Sequence, residues 1–172
     1  MGSVQYEIRL AEKEDAETLA YLGEHTFFQS FGHLYRPEDF RAFVDEHHSP
    51  SAYARLIADR EHAVWLATDR DGAGVGYACA GPCNLPVPDN PENAGELLRL
   101  YLLRETQGHG VGARLLETAL AWLDARFSDI YLSVYAENHG AQRLYARFGF
   151  EKVHDYFFMV GSHADPEFIL KR

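Results

Sequence analysis

Residues 98–120 read LRLYLLRETQGHGVGARLLETAL, and the order of residue types along this stretch decides the fold. The apolar run ELLRLYLL, residues 96–103, predicts a strand that enters a loop with glycine at three alternate positions, Gly108, Gly110 and Gly112. Behind the loop Val111, Leu115, Leu116, Ala119, Leu120 and Leu123 recur on one face of a helix, with Arg114, Glu117 and Asp124 opposite. Glycine lets backbone approach a ligand closely, and amides exposed at a helix N-terminus attract anions. A strand, glycine loop and helix in this order is therefore either a phosphate site or a tight turn that holds nothing.

Two phosphate-binding loops bear comparison. A P-loop requires a lysine and a hydroxyl residue after its last glycine, whereas Ala113 and Arg114 follow here. GHGVGA does fit the dinucleotide pattern G-x-G-x-x-A, with Glu137 about twenty residues on, where a ribose-binding acid belongs. A nicotinamide-dependent oxidoreductase thus stays open from the loop alone. Against it, that fold needs further strand-helix-strand units, and only a short helix and a terminal hairpin remain in the chain.

Outward from the loop, Val4, Tyr6, Ile8 and Leu10 alternate with polar residues, the period of a half-buried strand. Leu19, Leu22, Thr26 and Phe27 then fall at helical spacing, predicting a helix from Asp15 to about Ser30. Pro37 and Pro50 stand where helices can begin, so two shorter helices are expected over 37–48 and 50–58. HAVWLAT and VGYACAG flank the turn-rich DRDGAG as an antiparallel hairpin, and the four prolines of GPCNLPVPDNPENAG mark a long loop without regular structure. After the central helix come the strand IYLSVY, a helix from Asn138 to Phe148 with Gly149 at its C′ position, and the strands FEKVHDYFFMV and EFILK. The expected fold is mixed α/β, a single domain over residues 1–172 of order β-ααα-ββ-β-α-β-α-ββ, with about seven strands in one sheet flanked by helices.

A chain of 172 residues buries roughly two-thirds of its unfolded surface and needs no disulfide or metal to fold. Cys79 and Cys83 have neither redox nor zinc spacing and are expected as core thiols. The opening MGSVQYEIRL lacks a signal-peptide apolar core and no run is long enough to span a membrane, so a cytoplasmic location is expected. The net charge of -10 opposes nucleic acid and anionic membranes as partners and suits a cationic small molecule. Nine scattered histidines, with His47-His48 the one adjacent pair, form no metal-ligand motif, and no metal is expected.

The loop with its surroundings resembles the GNAT superfamily of N-acetyltransferases, in particular small bacterial members, some of which acetylate polyamines. Gln107 to Gly112 is similar to that family's (Q/R)-x-x-G-x-G/A signature. SVYAENHGAQRLYARFGF, with Asn138, Ala141, Tyr145 and Gly149-Phe150, is similar to its second signature, and IRLAEKEDAETLA to its first strand and helix. The resemblance implies acetyl-CoA as cosubstrate and an amine as acceptor, with direct acetyl transfer and no acyl-enzyme. It leaves a homodimer open. By position it implies Gln107, Gly108, His109, Gly110, Val111, Gly112 and Ala113 for the pyrophosphate and the backbone of Leu100, Tyr101 and Leu102 for pantetheine.

The resemblance also implies Tyr145 as the acid that protonates the departing thiolate. Read as a residue, it shares a helix face with Ala141, Leu144 and Phe148 and is equally a core tyrosine. Asn138 is an expected helix cap that the family also uses for the cofactor. Acyl transfer needs a neutral amine, while a free alkylamine near pKa ~10 is protonated at neutral pH. Glu96, eleven residues before Gln107, is the implied general base, although a strand-end glutamate is also an ordinary solvated residue. A base on the following strand, used by the ribosomal-protein acetyltransferases, is absent, because Ser133 occupies that position. TFFQSFGHLYRPEDF supplies Phe27, Phe28, Phe31, Tyr35, His33 and Asp39 as a candidate acceptor pocket.

Overall fold

The computed structural model describes residues 5–88 and 91–172. Strand β1 (Glu7–Leu10) is followed by helices α1 (Ala16–Phe31), α2 (Pro37–His47) and α3 (Pro50–Ala58), then by the hairpin of β2 (Ala63–Thr68) and β3 (Gly74–Pro82). The second part holds β4 (Ala94–Leu102), α4 (Val111–Asp124), β5 (Asp129–Tyr135), α5 (His139–Arg147), β6 (Glu151–Val160) and β7 (His163–Lys171). This is the expected order.

All seven strands join one sheet in the order β1-β2-β3-β4-β5-β7-β6. β4 and β5 run parallel through the α4 crossover, and every other neighbouring pair is antiparallel. A dinucleotide fold requires a mostly parallel sheet, so the topology removes the nicotinamide reading. Both sheet faces are covered, which explains why AVWLAT carries so little polarity. Ala63, Trp65 and Ala67 face one core with α4, while Val64 and Leu66 face another with Leu19 and Leu22 of α1 and Tyr53 of α3.

Local signals account for the helix ends. Pro37 and Pro50 open their helices, and the Ser49 side chain accepts from the Ala52 amide at 3.2 Å. Gly149 adopts φ 90° beyond α5, the left-handed stop that glycine permits.

Two expectations need correction. Of the alternating residues in the first strand, Tyr6 and Ile8 pack on the α4 core, but Leu10, at the end of the edge strand β1, is 60% exposed. Val4 lies outside the described residues. The proline-rich stretch is not wholly irregular: Gly81 and Pro82 pair with Glu96 and Gly95, so β3 and β4 extend into both of its ends. Asp89 and Asn90 within that stretch also lie outside the described residues. Among the described residues, no helix is long and apolar enough to cross a membrane.

Candidate active site

The three glycines of the loop do two different jobs. Gly108 and Gly110 take φ of 86° and 80°, and a Cβ at either would meet nothing within 4 Å, so backbone conformation rather than collision requires glycine there. Gly112 has no such φ; its Cβ would approach Leu102 Cδ1 to 3.2 Å, so its smallness lets α4 lie close on β4. Gly110 is the N-cap of α4 and no side chain caps this helix, which leaves the amides of Val111, Gly112 and Ala113 without intrahelical acceptors. Such a helix start, beside open room and exposed Gln107 and His109, fits a diphosphate.

β4 supplies a second fitting feature. Its parallel ladder to β5 covers Ala94, Gly95 and Glu96 and then stops, while its ladder to β3 continues through Leu100, Tyr101 and Leu102. Beyond Glu96 the β5-facing edge of β4 is therefore released from the sheet. An extended, amide-bearing arm can pair with such an edge as an added strand. The side chains of Leu100 and Leu102 pack on the α4 core, and that of Tyr101 points to the α1 face, so ligand pairing and core packing are compatible.

Tyr145 is buried on α5, edge to face with Phe150 at 6.0 Å. Burial, with Tyr101 nearby, pushes its hydroxyl above the ordinary phenol range, so it holds its proton. Asn138 caps α5 by accepting from the Ala141 amide at 3.2 Å and is itself exposed.

Glu96 is 8% exposed and accepts a hydrogen bond from the Asn84 amide at 2.9 Å. Desolvation raises its carboxyl to about 7 against that stabilising bond. It is thus no solvated strand end: it is buried at the rung where β4 and β5 separate. A group of that pKa is divided between base and acid forms near neutrality, as a proton acceptor from an amine requires.

The sequence reading missed the carboxylates across from it. Glu167 on β7 is also raised to about 7, by burial first and then by Asp165 and Glu96, while it accepts from the Tyr156 hydroxyl at 3.4 Å. Asp165 is buried, accepts a hydrogen bond from the Tyr35 hydroxyl and lies 2.9 Å from His163 Nε2. A strand read from His163 rather than from Glu167 would have placed Asp165 and Glu167, two residues apart, on one face. Ser133, where the alternative base would stand, lies against the Tyr156 hydroxyl.

The aromatic helix region divides between core and site. Phe27 is core, stacked among Tyr35, Phe40 and Phe43, and Phe31 meets Tyr135 edge to face at 5.5 Å. Tyr35 reaches the carboxylates through Asp165. Phe28 is 62% exposed and His33 is exposed, so the structure does not bring either into the cluster. Asp39 lies instead against Gly161, at the β6–β7 turn. Cys79 is buried, and desolvation raises its thiol to about 11, which disfavours a nucleophilic thiolate. A depression of about 470 Å³ between α5 and β6–β7, lined in part by His139, Arg143 and Lys152, contains none of these groups.

The chain is similar to known proteins in both sequence and fold. The family model of the acetyltransferase (GNAT) family matches residues 26–150. An uncharacterized N-acetyltransferase of Mycobacterium tuberculosis is 31% identical over 162 residues, covering 92% of this chain and 97% of that protein. A probable spermine N(1)-acetyltransferase of Bacillus subtilis subsp. natto is 34% identical over 83 residues, covering 47% of this chain and 55% of its own. The solved structure of the PaiA N-acetyltransferase from Thermoplasma acidophilum, in complex with coenzyme A, is similar in fold, with a TM-score of 0.77 at 22% identity over 98% of each chain.

Proposed function

Since the chain belongs to the GNAT family of acetyltransferases, we propose that it transfers the acetyl group of acetyl-CoA directly to the primary amine of a small molecule. When bound, acetyl-CoA supplies an activated acetyl thioester. The amides of Val111, Gly112 and Ala113 and the glycine turns hold its diphosphate, and the free edge of Leu100, Tyr101 and Leu102 holds its pantetheine arm. Gln107, Gly108, His109, Gly110 and Asn138 complete the lining on that side.

Glu96 accepts the proton of the incoming ammonium and leaves a neutral nitrogen. The N–C bond forms as the C–S bond breaks, and Tyr145 gives its proton to the departing sulfur. The second nitrogen proton replaces, through solvent, the one Tyr145 gave to sulfur, and Glu96 returns the first to bulk water, so both residues are restored and one proton is released per acetamide. A phenol of pKa at or above ~10 is a weak acid in water, but sulfur leaving as a thiolate of pKa ~8.5 in a dry site is a sufficient acceptor for a hydrogen bond that becomes a proton transfer.

The observation that carries this reading is the position of Glu96, a buried carboxylate with a pKa of about 7 at the rung where the cofactor edge opens. The test is CoA thiol release from acetyl-CoA across amines, amino acids and peptide N-termini. Release with an amine and not without one supports transfer. Tight acetyl-CoA binding with no release from any amine would instead make the chain a CoA-binding sensor. The relative named as a probable spermine N(1)-acetyltransferase and the carboxylates Glu96, Asp165 and Glu167 favour a polyamine as a second reading of the acceptor.

A further inference from the structure

Arg99 is a half-buried cation for which acetyl transfer as described above finds no use. Residues three apart on a regular strand point to opposite faces. Here Cys79 pairs with Arg99 and Ala80 with Leu97, so Leu98 is an extra residue without a partner on β3. This bulge shifts the alternation by one. Leu97 faces the α4 core, whereas Glu96 lies on the other face, and beyond the bulge Arg99 shares that face with Cys79, as Tyr101 does with Tyr77. The bulge thus aligns Glu96, Arg99 and Tyr101 along the α1 side of β4.

The neighbours found around Arg99 among the described residues are aromatic, thiol and imidazole groups. Its guanidinium carbon lies 5.2 Å from the centroid of the Tyr53 ring, and its other close polar neighbours are Tyr77, Tyr101, Cys79 and the imidazoles of His47 and His48. Tyr53 links three groups: its hydroxyl is 2.8 Å from His48 Nδ1, donates to Tyr77 at 2.8 Å and also lies against the Arg99 side chain, so it meets only part of the guanidinium. Arg99 Nη1 is shielded from solvent and has no hydrogen-bond partner among the described residues, and Arg99 joins no ion pair there. The residue as a whole is only partly buried. A guanidinium with one nitrogen shielded from water and no counter-ion is costly to fold around, and a bidentate carboxylate relieves that cost best. Tyr101 links this group to the acidic side, because its hydroxyl lies within the fields of both Arg99 and Glu167.

We propose that Arg99 binds a carboxylate of the acceptor, so that the substrate is a small amino acid whose amine faces Glu96 rather than a polyamine. This rests on the acetyl-transfer reading and deepens it. The lining then matches a zwitterion, with Glu96, Glu167 and Asp165 toward the ammonium and Arg99 toward the carboxylate. A polyamine would leave the guanidinium unpaired and bring a second cation toward it.

The test uses the full chain and compares kcat/KM for L-lysine with cadaverine and for L-phenylalanine with phenethylamine, each pair differing by the carboxylate. The wild type should favour the amino acid of at least one pair by tenfold or more. R99Q should lower that amino acid's kcat/KM about a hundredfold, leave its decarboxylated partner and the acetyl-CoA KM unchanged, and so erase the preference. R99K, which keeps charge but not the planar fork, should restore it only in part. A wild-type preference for the decarboxylated amines, or equal losses on both members in R99Q, overturns the proposal. If no amine is acetylated, the transfer reading fails separately. Calorimetric titration of both amino acids into the CoA-loaded protein then decides Arg99: binding lost in R99Q supports it, and absence of binding to the wild type overturns it.

Discussion

Glu96 pairs with Tyr131 in the last rung of the β4–β5 ladder, and the two strands part immediately beyond it. One residue therefore marks both where a cofactor arm can pair with β4 and where a buried carboxylate can meet an amine. Chemistry and binding share a structural cause, the divergence of two parallel strands.

Activity should follow the Glu96 carboxyl. The base form is the deprotonated one, so kcat/KM rises with pH and levels off above about 7. Glu96→Gln should cost roughly 10²-fold or more and flatten that limb of the profile. A pH–rate series on both proteins checks it; an unchanged inflection in the variant assigns the base to Glu167.

The same carboxyl has a stability consequence of opposite sign. Its folded pKa, about 7, lies above the unfolded value near ~4.5, so folding loses stability as pH rises between them and the loss is constant above. The penalty is on the order of 3 kcal/mol above pH 7. Glu96→Gln, whose amide oxygen can still accept from Asn84, should therefore raise Tm at pH 8 and leave it unchanged at pH 4. Thermal unfolding at the two pH values measures this directly.

Tyr145→Phe should lower kcat by roughly 10²-fold with the acetyl-CoA KM nearly unchanged, since the ring packing on Phe150 survives and only the proton is lost. Single-turnover rates isolate the chemical step. An unaltered single-turnover rate would leave Tyr145 a core residue.

Gly110→Ala places a side chain at φ 80° and should cost about 1–2 kcal/mol of stability, lowering Tm by a few degrees. Because the Cβ meets no protein atom, any rise in acetyl-CoA KM beyond that reports contact with the ligand. Asn138→Ser separates roles in the same way, for serine keeps the cap. A raised acetyl-CoA KM in this variant with unchanged Tm would assign Asn138 to the cofactor.

Local features were legible in the sequence because their causes are local. The turns at Gly108 and Gly110, the Asn138 cap and the stop at Gly149 each depend on a few neighbouring residues, and the alternation of apolar periods sets the element order. The acceptor side was not legible for the opposite reason. Tyr35 was visible as an aromatic candidate, but its partner Asp165 lies 130 residues away and reaches it only through the β6–β7 hairpin. Arg99 was hidden by the bulge at Leu98, since strict alternation assigns it to the wrong face of the sheet. Phe28, attractive by composition, faces solvent because the apolar side of α1 is taken by Leu19, Leu22 and Phe27.

The central claim is transfer of acetyl from CoA to an amine, and stopped-flow detection of CoA thiol with mass analysis of the acceptor tests it most directly. The account predicts one thiol released per acetamide formed, only when an amine is present, and faster as pH rises toward about 7. Thiol release that is indifferent to amine, or tight acetyl-CoA binding with no release from any amine tested, would contradict it.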